Sequence, residues 1–213
     1  MKAVFLDRDG VINKYPGDRQ YVTSLGKFRF LPRAKKAIAL LSKNNFMIFV
    51  ASNQAGVGKG VYSQKTLDSI TARMFSGVEQ AGGKITKVYY CTHRKEACCA
   101  CRKPKPGLLK KAAKEFKVDL KKVYFVGDTI RDVLTAHAAG AKSILVFSGK
   151  EKLSNYRGQS RRAGQSPLGQ SPGTGQSPLK RWEAKPDFVF KDLFAAAKFL
   201  VSLSGTVPSK KNG

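Results

Sequence analysis

Short apolar segments and longer amphipathic segments alternate along most of the 213-residue chain, and this alternation constrains the fold more than any other feature. The short segments are rich in Val, Ile, Phe and Tyr and have the length of buried strands, whereas the longer ones have helical periodicity. This order predicts parallel strands joined by crossover helices. Strands are expected at residues 3–6, 46–51, 85–90, 123–126, 143–147 and 188–190, and helices at 32–43, 63–80, 107–116, 130–139 and 192–203.

The predicted architecture is an open, mostly parallel, Rossmann-like α/β sheet with helices on both faces. We expect a single domain over residues 1–205, because a chain of this length can bury a sufficient core. Residues 157–180 interrupt it with Gly, Gln, Ser and Pro, including three GQSP repeats. Such a composition predicts a disordered, basic surface insertion, and residues 206–213 are expected to be a disordered basic tail. Pro32 is expected in the first turn of its helix.

The chain carries 40 Lys and Arg against 14 Asp and Glu, a formal net charge of +26. A charge of this sign attracts nucleic acid, anionic surfaces or acidic metabolites. The excess is spread over most of the chain, so a solvated basic surface explains it equally well. No apolar run reaches the roughly 20 residues that span a bilayer, and no signal-peptide pattern is present. We therefore expect a cytoplasmic protein, monomeric by default.

Carboxylates follow two of the predicted strands. Asp7 and Asp9 come after the first strand, and Asp128 follows the fourth, with Asp132 four residues later. An Asp-x-Asp-Gly segment alone is also ordinary turn chemistry. Because the carboxyl ends of parallel strands meet at one edge of the sheet, these carboxylates would repel one another unless a hard cation bound them. The combination predicts a Mg²⁺ site.

A hydroxyl and an ammonium group are expected at the same edge. Ser52 follows the second strand, and Lys103 lies in the loop after the third. Each alone could be a turn residue or a solvated lysine. Beside a Mg²⁺ site they indicate phosphoryl transfer, because that reaction depends on positioning and on neutralising charge at the phosphoryl oxygens.

All four cysteines fall within eleven residues, which indicates metal binding rather than disulfides. Cys98 could replace Cys99 as a ligand, although the Cys-x-Cys step favours Cys99, and a metal-free cluster of reduced cysteines is the alternative. Zinc would fix the loop that carries Arg102 and Lys103. Three thiolates and one imidazole make a closed, structural zinc site, and the predicted ligands are Cys91, His93, Cys99 and Cys101.

Four segments together resemble the haloacid dehalogenase-like phosphatases. They are FLDRDGVIN (residues 5–13), SNQAGVGKG (52–60), a Cys-x-His segment that ends in RKPKPG (91–107) and VGDTIRD (126–132). The chain is most similar to the bacterial D-glycero-D-manno-heptose 1,7-bisphosphate phosphatases, followed by the histidinol-phosphate phosphatases. The resemblance covers residues 2–203 apart from the insertion, and it implies a phosphatase without a large cap domain.

The resemblance also implies roles for individual residues. Asp7 would be the nucleophile that forms an aspartyl-phosphate, and Asp9 would act as general acid and then as general base. Mg²⁺ would be bound by the Asp7 and Asp128 side chains and the Asp9 carbonyl, with Asp132 orienting this site from behind. Ser52 and Lys103 would hold the phosphoryl oxygens. The implied substrate contacts are Asn53, Gln54, Arg102 and Tyr21.

The implied substrate is a small phosphorylated metabolite, most closely a sugar bisphosphate such as D-glycero-D-manno-heptose 1,7-bisphosphate. Two departures from the pattern of the resembled family leave the identity of the substrate open. The loop 14–21 is longer than in that family, and Thr129 stands where some relatives have lysine. Histidinol phosphate and a nucleic-acid 3′-phosphate are the alternatives. A zinc-containing nucleic-acid-binding protein is the competing class, and it is disfavoured because aromatic stacking platforms are absent from the basic segments. His137 is expected to be a packed or surface histidine.

Overall fold

The computed structural model describes residues 2–152 and 184–205. Its six strands form one sheet in the order β3-β2-β1-β4-β5-β6, with every neighbouring pair parallel. The predicted open parallel sheet is confirmed. The expected insertion, 157–180, and the expected tail, 206–213, lie outside the described residues, so the single-domain boundaries stay a prediction. The strands are β1 (Lys2–Leu6), β2 (Phe46–Asn53), β3 (Lys87–Cys91), β4 (Tyr124–Gly127), β5 (Lys142–Val146) and β6 (Phe188–Phe190).

Helices cover both faces of the sheet, as predicted. Successive residues of a strand point to opposite faces, and accordingly Val4 and Leu6 belong to one buried apolar cluster while Phe5 belongs to the other. The first cluster includes residues of α1, α3 and α6, and the second includes residues of α4 and α5. The helices are α1 (Ala34–Lys43), α2 (Ala55–Gly58), α3 (Gln64–Glu79), α4 (Gly107–Phe116), α5 (Ile130–Ala139) and α6 (Leu193–Gly205).

Several element boundaries differ from the sequence prediction by one or two residues. β2, for example, extends to Asn53, so Ser52 lies within the strand and not after it. α1 begins at Ala34, because Arg33 caps the helix in a left-handed conformation with φ of 63°, so Pro32 lies before the helix and not in its first turn. β3 begins at Lys87 and continues to Cys91. Cys91 therefore belongs to the strand, where its backbone is held by pairing with Asn53 of β2.

The strand order places a crevice beside β1. The chain proceeds from β1 outward through β2 to β3, and then returns to the other side of β1 as β4. Ligands of open α/β sheets bind at such a reversal, outside the carboxyl ends of the strands. None of the helices within the described ranges is long and apolar enough to cross a membrane.

Candidate active site and metal centres

Three buried carboxylates and one lysine meet at the crevice between β1 and β4. Side-chain oxygens of Asp7, Asp128 and Asp132 all lie within 4.8 Å of one another. Lys103 Nζ lies 2.8 Å from Asp7 Oδ2 and 2.7 Å from Asp132 Oδ1. The structure therefore brings together the carboxylates and the lysine that the sequence assigned to separate strand ends.

The electrostatics of this group call for a further cation. Burial raises the pKa of Asp7 to about 6, although Lys103 opposes the rise. The pKa of Asp128 lies well above its ordinary value because of burial and then because of Asp132 and Asp7. Burial alone would lower the pKa of Lys103, but Asp132 and Asp7 raise it. One ammonium does not compensate three carboxylates, so the all-oxygen donor set fits Mg²⁺.

The orientation of Asp128 is fixed by close backbone packing. A Cβ atom added to either Gly10 or Gly149 would lie 2.0 Å from Asp128 Oδ2, so only glycine fits at both positions. The backbone N–H of Lys150 donates to the same oxygen at 2.6 Å. Ser148 Oγ donates to the Gly10 carbonyl oxygen at 2.8 Å. The segment after β5 thus holds a carboxylate at the end of β4.

Asp132 connects the lysine to the start of α5. Its Oδ2 atom accepts hydrogen bonds from Thr129 N at 3.1 Å and Thr129 Oγ1 at 2.6 Å, which caps the helix. Its Oδ1 atom forms an ion pair with Lys103. Held at both oxygens, Asp132 is suited to the orienting role that the resemblance implies.

Asp9 faces a different set of partners. Its carboxylate accepts hydrogen bonds from Arg8, from Asn13 Nδ2 at 2.8 Å and from Gln54 Nε2 at 3.0 Å. Sequence reasoning missed Arg8 and Asn13, although both lie within the FLDRDGVIN segment. A buried arginine has no distinguishing signal in a chain with 40 basic residues. The partners of the Asp9 side chain are therefore different from those of the group formed by Asp7, Asp128 and Asp132.

Residues at the end of β2 connect both parts of the site. Ser52 is buried, and its Oγ accepts from Gln54 Nε2 at 3.2 Å. Asn53 pairs with the backbone of Lys103 in both directions: Lys103 N donates to Asn53 Oδ1 at 3.0 Å, and Asn53 Nδ2 donates to the Lys103 carbonyl oxygen at 3.2 Å. Asn53 thereby fastens the lysine loop to the sheet.

The other two expected substrate contacts lie on loops around the crevice. Arg102 Nη1 donates to the His93 carbonyl oxygen at 3.4 Å, which ties it to the cysteine-rich loop. Tyr21 packs beside Tyr62 with ring centroids 6.2 Å apart. The assignment of Tyr21, Asn53, Gln54 and Arg102 to substrate binding stays a prediction.

The cysteine-rich loop assembles a second candidate metal centre. The Sγ atoms of Cys91 and Cys99 are 3.6 Å apart, those of Cys99 and Cys101 are 3.4 Å apart, and His93 Nδ1 lies 3.2 Å from Cys101 Sγ. Zinc–sulfur bonds of about 2.3 Å in a tetrahedron imply edges of about 3.7 Å, so these separations fit a single zinc ion. Cys98 is exposed and lies outside the group.

The thiols of this centre also resist simultaneous ionisation. Burial, followed by hydrogen bonding with Cys91 and Cys99, raises the pKa of Cys101 to about 12, whereas at Cys99 burial is outweighed by hydrogen bonds with Cys101 and Cys91, which lower its pKa to about 6. A divalent cation removes this obstacle, because thiolates are the form that binds zinc. The donor set of three thiols and one imidazole therefore fits zinc chemically as well as geometrically.

The exposed side chains of Asp18 and Lys150 meet the half-buried Tyr15 beside the segment that contacts Asp128. Tyr15 OH donates to Asp18 Oδ1 at 2.5 Å, and Lys150 Nζ lies 2.5 Å from the same oxygen. These contacts join the loop 14–21 to the segment after β5.

His137 lies at the opposite end of β5, away from the crevice. Its Nε2 atom is 3.0 Å from both Ser143 Oγ and Asp187 Oδ2.

Comparison with known proteins agrees with this geometry. Residues 100–167 match a family model described as HAD-hydrolase-like. The chain belongs to the haloacid dehalogenase-like phosphatases. D-glycero-beta-D-manno-heptose-1,7-bisphosphate 7-phosphatase of Pseudomonas putida is 40% identical over 158 residues, which cover 74% of this chain and 89% of that protein. The enzyme of the same name from Neisseria meningitidis serogroup A is 36% identical over 152 residues, covering 71% and 80% respectively.

Solved structures give the same result. A crystal structure of D,D-heptose 1,7-bisphosphate phosphatase from B. bronchiseptica, complexed with magnesium and phosphate, has a TM-score of 0.76 and 32% identity, covering 95% of this chain and 99% of that chain. The enzyme of that name from Burkholderia thailandensis has a TM-score of 0.60 and 28% identity, with the same coverage. Magnesium is thus bound in a similar protein.

Proposed function

We propose that this chain is a Mg²⁺-dependent phosphomonoesterase that acts through an aspartyl-phosphate on a sugar bisphosphate of the D-glycero-D-manno-heptose 1,7-bisphosphate kind. The meeting of Asp7 and Asp128 at the crevice, with Lys103 Nζ 2.8 Å from Asp7 Oδ2, carries the proposal. A nucleophilic carboxylate, an orienting carboxylate and a buried ammonium are the groups that phosphoryl transfer requires.

The reaction proceeds in two displacements. An oxygen of Asp7 attacks phosphorus, and the ester P–O bond breaks as the new O–P bond forms. Asp9 gives its proton to the departing sugar oxygen. Asp9 then takes a proton from the water that attacks the aspartyl-phosphate, which releases inorganic phosphate and restores Asp7.

Charge neutralisation accompanies both displacements. Asp7 and Asp128, with the Asp9 carbonyl, would hold Mg²⁺, which when bound offsets negative charge on the phosphoryl oxygens. Lys103 supplies a second positive charge from the side of Asp132, in a buried setting where its interaction with phosphate is strong. Ser52 offers a hydroxyl to the same oxygens.

We further propose that Cys91, His93, Cys99 and Cys101 hold a structural zinc ion. Cys101 is followed directly by Arg102 and Lys103, and the Lys103 backbone is fastened to Asn53. Zinc on one side and Asn53 on the other would therefore fix the position of the ammonium. The closed set of four protein ligands leaves no position for substrate.

The names of the relatives favour a heptose bisphosphate over histidinol phosphate or a nucleic-acid 3′-phosphate. The test is a substrate panel with these three compounds, assayed with Mg²⁺ and with EDTA. We expect the bisphosphate to have the highest kcat/KM, with activity abolished by EDTA and restored by Mg²⁺. Full activity in EDTA would refute the metal-dependent mechanism, whereas preference for another ester would refute only the substrate.

A further inference from the structure

Arg8 is one of the largest side chains that are wholly buried among the described residues, and it stands between the two aspartates of the first strand end. Its Nη2 atom lies 3.1 Å from both carboxylate oxygens of Asp9, and its Nε atom lies 3.2 Å from Asp9 Oδ1. The guanidinium carbon lies 5.7 Å from the ring centroid of Tyr90. Burial alone would lower the pKa of Arg8, but Asp9 raises it, so Arg8 keeps its charge.

Gln54 holds Asp9 from a second direction and has no free hydrogen-bonding position. Its Nε2 atom donates to Asp9 Oδ2 at 3.0 Å and to Ser52 Oγ at 3.2 Å. Its Oε1 atom accepts from Arg8 Nη2 at 3.0 Å and from Tyr62 OH at 2.7 Å. A side-chain amide has two donor and two acceptor positions, and all four are used inside the protein. A substrate contact by this amide would break one of them.

We propose that Arg8 and Gln54 are positioning residues that fix the carboxyl group of Asp9 against the leaving-group oxygen of the substrate. Asn13 supplies a third donor to Asp9 at 2.8 Å, so the carboxyl group is held on three sides while 20% of its side chain stays exposed toward solvent. The inference rests on the proposed function, in which Asp9 is the general acid. It adds which residues of this chain orient the Asp9 carboxyl group.

The burial of Arg8 favours this role over a purely structural one. A buried ion pair can often be replaced by apolar side chains without loss of stability, so stability alone does not explain a charged pair here. The planar fork of arginine reaches both oxygens of Asp9 and Gln54 Oε1 at once, which the point charge of lysine does not. Donors from three residues therefore restrict rotation of the Asp9 side chain.

The chemistry of the first step supplies a specific readout. As the Asp7–phosphorus bond forms and the ester bond breaks, the departing oxygen takes the Asp9 proton. An alkoxide leaving group needs that proton, whereas p-nitrophenolate leaves readily without it. A misdirected acid should therefore slow the hydrolysis of an alkyl ester and affect the aryl ester much less. The constant kcat/KM reports this step irrespective of how fast the phosphoenzyme is hydrolysed.

The experiment compares kcat/KM for p-nitrophenyl phosphate with that for the sugar phosphate that the panel shows to be hydrolysed fastest. Gln54→Met keeps the volume of the side chain and removes the donor to Asp9 together with the hydrogen bond to Ser52, whose loss should affect both esters equally. We expect its loss on the sugar phosphate to exceed its loss on p-nitrophenyl phosphate by at least about tenfold, a fraction of the contribution of a general acid. Arg8→Lys, which keeps the charge and removes the fork, should show the same selectivity and serves if Gln54→Met does not fold.

Tyr62→Phe is the matched control, because it removes one hydrogen bond to Gln54 and none to Asp9. Its ratio of the two kcat/KM values should stay within about twofold of wild type, since the donors to Asp9 remain. Equal losses on both esters in a folded Gln54→Met or Arg8→Lys protein would overturn the inference.

Asp9→Asn separates this inference from the proposed function. If Asp9→Asn selectively loses the sugar phosphate while Gln54→Met and Arg8→Lys do not, Asp9 is the acid and the positioning role is wrong. If Asp9→Asn loses both esters equally, the general-acid assignment itself fails.

Discussion

The crevice joins two regions that are held together in opposite ways. The buried centre consists of Asp7, Lys103, Asp128 and Asp132, and the rim consists of Tyr15, Asp18 and Lys150. In the buried centre the Lys103 side chain is 3% exposed between two carboxylates. In the rim the Lys150 and Asp18 side chains are 43% and 70% exposed.

From this difference we infer that the buried centre carries out the reaction and that the rim affects the choice of substrate. Exposed ion pairs are worth at most about 1 kcal/mol and are screened by salt, so the rim can change at little cost to the fold. Removing Lys103 would leave the buried carboxylates uncompensated, which costs several kcal/mol. We therefore expect substitutions in the buried centre to change turnover and those in the rim to change substrate preference.

Asp7→Asn tests the buried centre and should have the largest effect. The amide keeps the volume of the carboxylate but is not a nucleophile, so kcat should fall by at least about 10³-fold on every ester. Turnover within tenfold of wild type would contradict the assignment of the nucleophile. The check is steady-state kinetics at saturating Mg²⁺.

The Asp7→Asn variant should also differ from wild type in its thermal stability. Burial raises the pKa of Asp7 from 3.8 to about 6. A carboxyl group whose pKa is higher in the folded state destabilises the fold above that pH, where it is ionised, and the penalty disappears below the unfolded pKa. In EDTA at pH 8, Asp7→Asn should therefore unfold at or above the wild-type temperature, and Mg²⁺ should stabilise it less. A lower temperature in EDTA would show that Asp7 is needed for folding.

The two regions also differ in what could be predicted from the sequence. Asp7 and Asp128 follow apolar strands, and parallel strands deliver their ends to one edge, so the buried centre was predictable from strand positions. The position of Lys150 was not predictable. Lys150 and Asp18 are 132 residues apart in the sequence, and they meet because the segment after β5 packs on Asp128. Arg33 has no sequence signal for its left-handed conformation, and for that reason the start of α1 was misplaced.

Cys101→Ser tests whether the zinc-bound loop holds Lys103 in the buried centre. Its effect should lie between those of the other substitutions. Losing one thiolate should release zinc and loosen the loop that presents Lys103, while the carboxylates on other strands stay in place. We expect kcat/KM to fall by about 10- to 100-fold, as for other residues that orient a reactive group indirectly. Excess Mg²⁺ should not restore it. Metal analysis of the purified protein and kinetics provide the measurement.

Cys98→Ser is the matched control for that substitution. Cys98 is exposed and lies outside the thiol group, so this variant should retain one zinc ion per chain and wild-type kinetics. A wild-type protein without zinc, or a zinc-free Cys101→Ser protein with full activity, would show that the cysteine-rich loop needs no metal to hold Lys103.

Lys150→Met tests the rim and should have the smallest effect. The Lys150 ammonium lies beside Asp18, and the Lys150 backbone nitrogen lies 2.6 Å from Asp128 Oδ2, so the side chain extends from the Asp128 carboxylate toward solvent. We expect the second phosphate of a bisphosphate substrate to draw this ammonium away from Asp18. Methionine keeps the chain length and the backbone hydrogen bond while removing the charge. KM for the bisphosphate should rise by no more than about fivefold, since exposed charges contribute at most about 1 kcal/mol.

The substrate comparison decides what that rise means. For p-nitrophenyl phosphate, which has one phosphate, kcat/KM should stay within about twofold, because the buried centre is untouched. Lys152→Met controls for the loss of one positive charge on the same segment, since Lys152 Nζ donates to the Gly149 carbonyl oxygen and has no contact with Asp18. Asp18→Asn should act in the opposite direction, because it frees Lys150 for the substrate. If Lys150→Met weakens both esters equally, the rim supports the position of Asp128, and the separation between reaction and substrate choice does not hold at this residue.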